Sequence, residues 1–135
     1  MALKKYVVDT NILMSLEQLD KLIEYCEGMI NVPIYVVEEL DNLKIAEGER
    51  GFKARRALRN IKKNEDCIEF YLPKGETSWF LPASLDGGKM DNKIINYALT
   101  LKSKYNIQQV VLLSNDLNVR IKCFALGIET NNFVV

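Results

Sequence analysis

Short apolar runs alternate with amphipathic stretches along almost the whole of this chain, and that alternation restricts the fold more than any other feature. Tyr6-Val7-Val8, ending in Asp9, has the continuous apolar character of a strand covered on both faces. Thr10 to Ser15 reads as a loop entering a helix. In that helix Leu16, Leu19, Leu22 and Ile23 oppose Glu17, Asp20, Lys21 and Glu24, and Gly28 is placed to stop it. Met29 to Val32 reads as the next strand. Pro33 opens a second helix at its favoured first-turn position, with Ile34, Val37, Leu40 and Leu43 as its apolar stripe. Cys67 to Leu72 is a third strand, and Ile94, Ile95, Ala98, Leu99 and Leu101 mark a helix beginning near Asp91. Val110 to Leu113 is a fourth strand, Asp116 to Leu126 a helix closed by Gly127, and Ile128 to Thr130 a short fifth strand. Such a chain predicts an α/β fold, a parallel sheet with helices on both faces joined by right-handed crossovers. With 135 residues, no internal repeat and no linker, residues 1–135 are expected to form a single domain.

Composition removes several classes of chemistry. The chain has no histidine, which excludes a Ser-His-Asp triad and histidine-bound zinc. Cys26, Cys67 and Cys123 are odd in number and far apart, so buried free thiols are expected. The 18 basic and 18 acidic residues cancel, leaving local distribution to decide what the surface attracts. No apolar run approaches the roughly 20 residues of a membrane helix. Met1 to Asp9 is too short and too soon acidic for a secretory signal. A cytoplasmic protein without a membrane partner is expected.

The acids gain meaning from their positions. Open parallel sheets bind ligands outside the carboxyl ends of their strands, where strand order reverses. Asp9 ends the first strand and Asp116 lies just past the fourth. Glu39 lies on the helix after the second strand and Asp91 opens the helix before the fourth. Four carboxylates converging on one edge repel one another unless a cation or protons intervene. A divalent cation is the economical answer, and all-oxygen ligation favours Mg²⁺ or Mn²⁺ over zinc or copper. Plainer roles exist for each acid. Asp91 and Asp116 stand where helix caps stand, and Glu39 could be a solvated helix residue, with Glu38 as a competitor.

Residues 44–63 are strongly basic, with Lys44, Arg50, Lys53, Arg55, Arg56, Arg59, Lys62 and Lys63 against Glu47 and Glu49. If Phe52 to Ile61 is helical, Lys53, Arg56 and Arg59 lie at near-helical spacing and could grip phosphates; a merely solvated face is the alternative. Arg120 and Lys122, just past Asp116, are lesser candidates for the same role. The sixteen-residue stretch Pro73 to Gly88 reads as a loop. Its Trp79 and Phe80 could stack on bases, although anchoring the loop to the core is the preferred reading.

The motifs resemble those of PIN domains. Val7-Val8-Asp9-Thr10-Asn11-Ile12-Leu13 is similar to the family's opening motif, and Glu39-Leu40-Asp41-Asn42-Leu43-Lys44 to its second, which selects Glu39 over Glu38. Asp91-Asn92-Lys93-Ile94-Ile95 resembles the third motif. Leu113-Ser114-Asn115-Asp116-Leu117-Asn118-Val119-Arg120 resembles the fourth, with Ser114 in place of the usual Thr. The likeness spans nearly the whole chain. Through Lys122 and Ala125-Leu126-Gly127-Ile128 it looks most like the PIN domain at the amino terminus of PhoH-type ATPases. No Walker-type Gly-rich loop occurs in this chain, so the likeness does not extend to an ATPase half.

The resemblance implies a three-layer α/β/α sandwich around a mainly parallel five-stranded sheet in the order 3-2-1-4-5. It implies a metal-dependent endoribonuclease that hydrolyses phosphodiesters of single-stranded RNA with Mg²⁺ or Mn²⁺, leaving a 5′ phosphate and a 3′ hydroxyl. Asp9 and Asp116 are then direct metal ligands, and Glu39 and Asp91 ligands directly or through water. Asn11 and Ser114 orient those carboxylates. The resemblance also leaves room for a homo-oligomer and for an ATPase domain in a longer relative. Two other readings compete: a non-catalytic RNA-binding or interaction module that keeps the acids, and a toxin ribonuclease of a toxin-antitoxin pair. A haloacid-dehalogenase phosphatase needs a second Asp where Asn11 stands. A receiver domain needs an Asp at the end of the third strand, which here ends Phe70-Tyr71-Leu72.

Overall fold

In the computed structural model, which describes residues 4–71, 82, 84–86, 88–103 and 105–134, the expected alternation is realised as an α/β sandwich. The elements in chain order are β1 (Lys4–Val8), α1 (Thr10–Ser15), α2 (Asp20–Tyr25), β2 (Ile30–Pro33), α3 (Ile34–Leu43), α4 (Glu49–Lys63), β3 (Ile68–Tyr71), α5 (Met90–Ser103), β4 (Gln109–Leu113), α6 (Leu117–Leu126) and β5 (Glu129–Asn131). A short 3₁₀ turn, Glu65–Cys67, leads into β3. The strand order is β3-β2-β1-β4-β5, and every pairing is parallel, so the expected "mainly" parallel sheet is wholly so.

The core follows from the apolar strand runs. Val7 and Val8 of β1, Ile30 and Val32 of β2, and Leu112 and Leu113 of β4 are buried, as suits strands covered on both sides. Helices α1, α3 and α4 pack against one another, while α5 packs on β4 and α6. In α4 the buried residues are Gly51, Ala54, Ala57 and Ile61. Three of these are small, which lets that helix approach its neighbours closely.

Four local expectations are corrected. Thr10 to Ser15 is a helix rather than a loop, because Ile12, Leu13 and Met14 are buried against the core and Asp9 caps the first turn. The helix expected across Leu16 to Glu24 is confined to Asp20–Tyr25, and Leu16 and Leu19 are buried outside it. It ends at Cys26, two residues before the glycine expected to stop it, and Glu27 (φ 53°) and Gly28 (φ 74°) are both left-handed. Pro33 lies just outside α3, with φ −62° and ψ 145°, so it closes β2 and introduces the helix from the cap position. Of the cysteines, Cys26 and Cys123 are buried and free, and burial pushes both thiols up to about 12. Cys67 departs from the expectation: in the 3₁₀ turn before β3 it is exposed. Trp79 and Phe80, and with them most of the Pro73 to Gly88 loop, lie outside the described residues. No described helix is long and apolar enough to cross a membrane.

Candidate metal centre

With β1 in the middle of the sheet, chain order runs outward to β2 and β3 on one side and returns to β4 and β5 on the other. The reversal therefore falls between β1 and β4, where a parallel sheet opens its crevice. Val8 is in register with Leu113 at that point, and the Asp9 amide donates to the Leu113 carbonyl at 3.0 Å. The residues that follow, Asp9 and Ser114, are thereby placed side by side. The Ser114 hydroxyl donates to Asp9 Oδ2 at 2.7 Å, and Ser114 Oγ accepts from the Asp116 amide at 3.1 Å. Ser114 is completely buried and Asp9 almost so.

Asp9 Oδ1 accepts from the Thr10 amide at 2.8 Å, the cap that starts α1. Burial raises the Asp9 carboxyl above its ordinary value. The bonds from Ser114 and Thr10 oppose that rise, while the negative charges of Glu39 and Asp116 add to it. Three acids from three elements thus share one field, and no ion pair to Asp9, Glu39 or Asp116 exists among the described residues. Asp116 caps α6, its Oδ1 accepting from the Asn118 amide at 2.9 Å. The cap role anticipated for it is real and leaves Oδ2 without a hydrogen-bond partner among the described residues. Glu39 is half-buried on α3, whereas Glu38 is exposed.

Asp91 is placed differently. It lies in the first turn of α5, where its Oδ1 accepts from the Asn92 amide at 2.8 Å and its Oδ2 from Lys122 Nζ at 3.0 Å. Lys122 also donates to Asn92 Oδ1 at 3.0 Å. Among the described residues no three acids or cysteines stand close enough together to hold a metal ion. The donor chemistry, carboxylate oxygen alone with no ion pair to Asp9, Glu39 or Asp116 among the described residues, is of the kind a hard divalent cation takes.

The basic residues divide by what they touch. Arg56 on α4 donates to the Met14 carbonyl of α1 at 3.2 Å and lies over the Phe52 ring, and its buried Nε has no hydrogen-bond partner among the described residues. It joins two helices. Arg55 donates to the Lys44 carbonyl at 2.7 Å, and Lys53 pairs with Glu49 at 3.0 Å. Arg59 is exposed, with no ion pair among the described residues. Arg120 is half-buried and its Nε also lacks a hydrogen-bond partner among the described residues. Asn11 is exposed and makes no hydrogen bond to the four acids. It lines a recess of about 310 Å³ with Met14, Ser15, Glu49, Arg50 and Lys53. A larger recess, about 540 Å³, is bounded by Ser15, Leu16, Glu17, Gln18, Asp20 and Lys21 and contains none of the acids. The sequence analysis named Arg50 only as part of the basic stretch and Asn92 only within the third motif, and gave neither a role of its own.

The PIN-domain family model matches residues 6–134. Curated relatives include Protein PhoH2 of Thermobispora bispora, 29% identical over 96% of this chain, and Protein PhoH2 of Bacillus subtilis, 28% identical over 97%. The chain spans about a third of the length of these relatives, 32% and 33% respectively. Among solved structures, a domain of a functionally unknown protein from Methanocaldococcus jannaschii superposes with a TM-score of 0.66 at 25% identity. That likeness covers 99% of this chain and 93% of the other.

Proposed function

The chain belongs to the PIN-domain family, a family of nuclease-type modules that generally use divalent metals, and from that premise we propose that it is a metal-dependent endoribonuclease acting on single-stranded RNA. The observation that carries this reading is the buried Asp9 carboxylate, held by Ser114 and facing Glu39 and Asp116 at the β1/β4 crevice. Negative charge at a buried position is offset by a proton or by a cation, and a divalent ion taken from solution would serve. A bound Mg²⁺ or Mn²⁺ supplies Lewis-acid chemistry, polarising a phosphodiester and making water more acidic.

The chain's own residues account for the rest. Asp9, Glu39 and Asp116 would hold the ion, with Asp91 as a further acid at the rim. Ser114 fixes the rotamer of Asp9 and the entry of Asp116 into α6 at once. Thr10 and Asn118 amides hold one oxygen of each acid, so the carboxylates need little reorganisation to ligate. Arg50, Lys53 and Arg59 offer phosphate contacts along α4, beside the recess that Asn11 opens next to Asp9. Arg120 and Lys122 flank Asp116 on α6 as further candidates for substrate contact. We place the protein in the cytoplasm, and an ATPase region in its longer relatives.

The open spacing of the acids favours one second reading, a non-catalytic RNA-binding module. Incubating end-labelled single-stranded RNA with the protein in Mn²⁺, alongside EDTA and an Asp9→Asn variant, separates the two. Internal cleavage lost in both controls is the expected result. Equal cleavage by variant and wild type marks a contaminating ribonuclease, and RNA binding without cleavage supports the non-catalytic module.

A further inference from the structure

Phe52 is an aromatic side chain that the core does not use. Its ring is 48% exposed near the start of α4, and it stands outside the cluster of buried and partly buried apolar side chains. A lone exposed apolar residue is ordinary; the setting of this one is not. The buried side of α4 is Gly51, Ala54, Ala57 and Ile61, and at about 100° per residue Phe52 points away from all four. The residues that share its side at helical spacing are Arg55, Arg56, Arg59 and Lys63. An aromatic ring therefore heads a stripe of cations.

The members of that stripe differ in what they are free to do. The Arg56 guanidinium lies over one face of the Phe52 ring, 5.5 Å from its centroid, and is tied at 3.2 Å to the Met14 carbonyl. Among the described residues no other ring lies against Phe52. Lys53 and Lys62 are paired with Glu49 and Glu65, whereas Arg59 and Lys63 are exposed and make no ion pair among the described residues. These two lie about 10 and 16 Å from Phe52 along the helix axis, at about 1.5 Å per residue. A half-exposed ring followed by unpaired cations is complementary to a single-stranded polynucleotide, which offers base faces and phosphates together; a duplex keeps its base faces inside. We propose that this face of α4 is a track for single-stranded RNA, with one base stacked on the Phe52 ring opposite Arg56 and the adjoining phosphates on Arg59 and Lys63. The track leads towards the crevice, because Glu49, Arg50 and Lys53 at the same end of α4 line the recess that contains Asn11, two residues past Asp9. This inference rests on the RNA reading proposed above and needs no metal.

The test follows a labelled single-stranded oligoribonucleotide by fluorescence anisotropy, on the whole chain in EDTA, so that affinity is read apart from metal-dependent cleavage. Phe52→Leu is expected to weaken binding about tenfold, within the range for loss of one stacked base. Its melting temperature and the slope of affinity against salt should match wild type, because no cation is removed. Phe52→Tyr keeps the ring and should bind as wild type does. An abasic ribose-phosphate strand of the same length offers no face to stack, and wild type and Phe52→Leu should bind it alike. Equal RNA affinities for Phe52→Leu and wild type overturn this inference and leave the nuclease reading intact. So does a tenfold loss that the abasic strand shares, since Phe52 then acts through the shape of α4. No RNA binding by wild type overturns both. If Phe52→Leu fails to melt cooperatively, Phe52→Trp decides, with wild type, whose one tryptophan is Trp79, as the baseline. Quenching of the added tryptophan by the RNA but not by the abasic strand is the expected result, and equal response to the two strands overturns the inference.

Discussion

The Ser114 hydroxyl donates to Asp9 Oδ2 at 2.7 Å across 105 residues of chain, and its oxygen accepts from the Asp116 amide at 3.1 Å. One small side chain therefore sets the relation between the acids that follow β1 and β4. In Ser114→Ala the buried Asp9 loses a donor and the Asp116 amide loses its acceptor. The expected cost is about 1–3 kcal/mol of stability by urea unfolding, with Mn²⁺ binding weakened about tenfold. Ser114→Thr keeps the hydroxyl and should lie close to wild type in Mn²⁺ affinity. Equal affinities for Ala and wild type would remove Ser114 from the site.

Burial, reinforced by Glu39 and Asp116, raises the Asp9 carboxyl above its ordinary 3.8. The folded protein then holds this proton more tightly than the unfolded chain does. Metal-free stability is accordingly lost as pH rises from the ordinary carboxylate range through the raised value, and it stays lower above that value. Asp9→Asn removes the loss. At pH 7 with a chelator, its melting temperature should exceed that of wild type by about 3 °C, the shift that roughly 1 kcal/mol makes in a domain of this size. The difference should disappear near pH 3, where both are uncharged. Mn²⁺ at about 100 times its dissociation constant should add roughly 2.7 kcal/mol to wild type and little to the variant.

Arg56 and Arg59 lie one helical turn apart on α4, yet they should fail in different ways. Arg56 holds the Met14 carbonyl, so Arg56→Met is expected to destabilise by about 1–3 kcal/mol while changing RNA affinity little. Arg59 is exposed, and Arg59→Ala should leave the melting temperature unchanged. Its effect should be a salt dependence of single-stranded RNA binding shallower by about 0.7, the share of one phosphate contact. Fluorescence anisotropy across a salt series distinguishes them. Identical slopes for Arg59→Ala and wild type would take α4 off the RNA path at that point.

Gly51 permits the approach of α4 to the segment before it. A Cβ built there would stand 1.8 Å from the Ala46 carbonyl oxygen, which is backbone and cannot rotate aside. Gly51→Ala should therefore cost about 2 kcal/mol or more, despite alanine's better helix propensity. A denaturation midpoint equal to that of wild type would show that the helix start shifts freely.

Much of this architecture is written in local pattern. The Val7-Val8-Asp9 and Leu112-Leu113-Ser114 runs mark strands covered on both faces, and their polar ends mark the crevice. Alternation alone implies parallel pairing. What escaped the pattern depends on contacts distant in sequence. Thr10 to Ser15 is too short to show helical periodicity, and tertiary burial of Ile12, Leu13 and Met14 makes it a helix. Lys53, Arg56 and Arg59 look equivalent on α4, and only the packing of α1 against it makes Arg56 a strut. Lys122 reads as a phosphate contact until α5 and α6 come together, when its long flexible stem reaches Asp91.

The central position of β1 bears on when the protein can acquire its crevice. Asp9 and the Ser114 hydroxyl that holds it stand 105 residues apart in the chain, and Ser114 is in turn anchored by its amide to Asn131 of β5 at 3.0 Å. Pairing of strands so distant in sequence is late and slow to form. A partly folded chain in which β4 and β5 have not docked would carry three of the four motif acids without the wall that shapes them. The crevice is therefore among the later features of the fold to form.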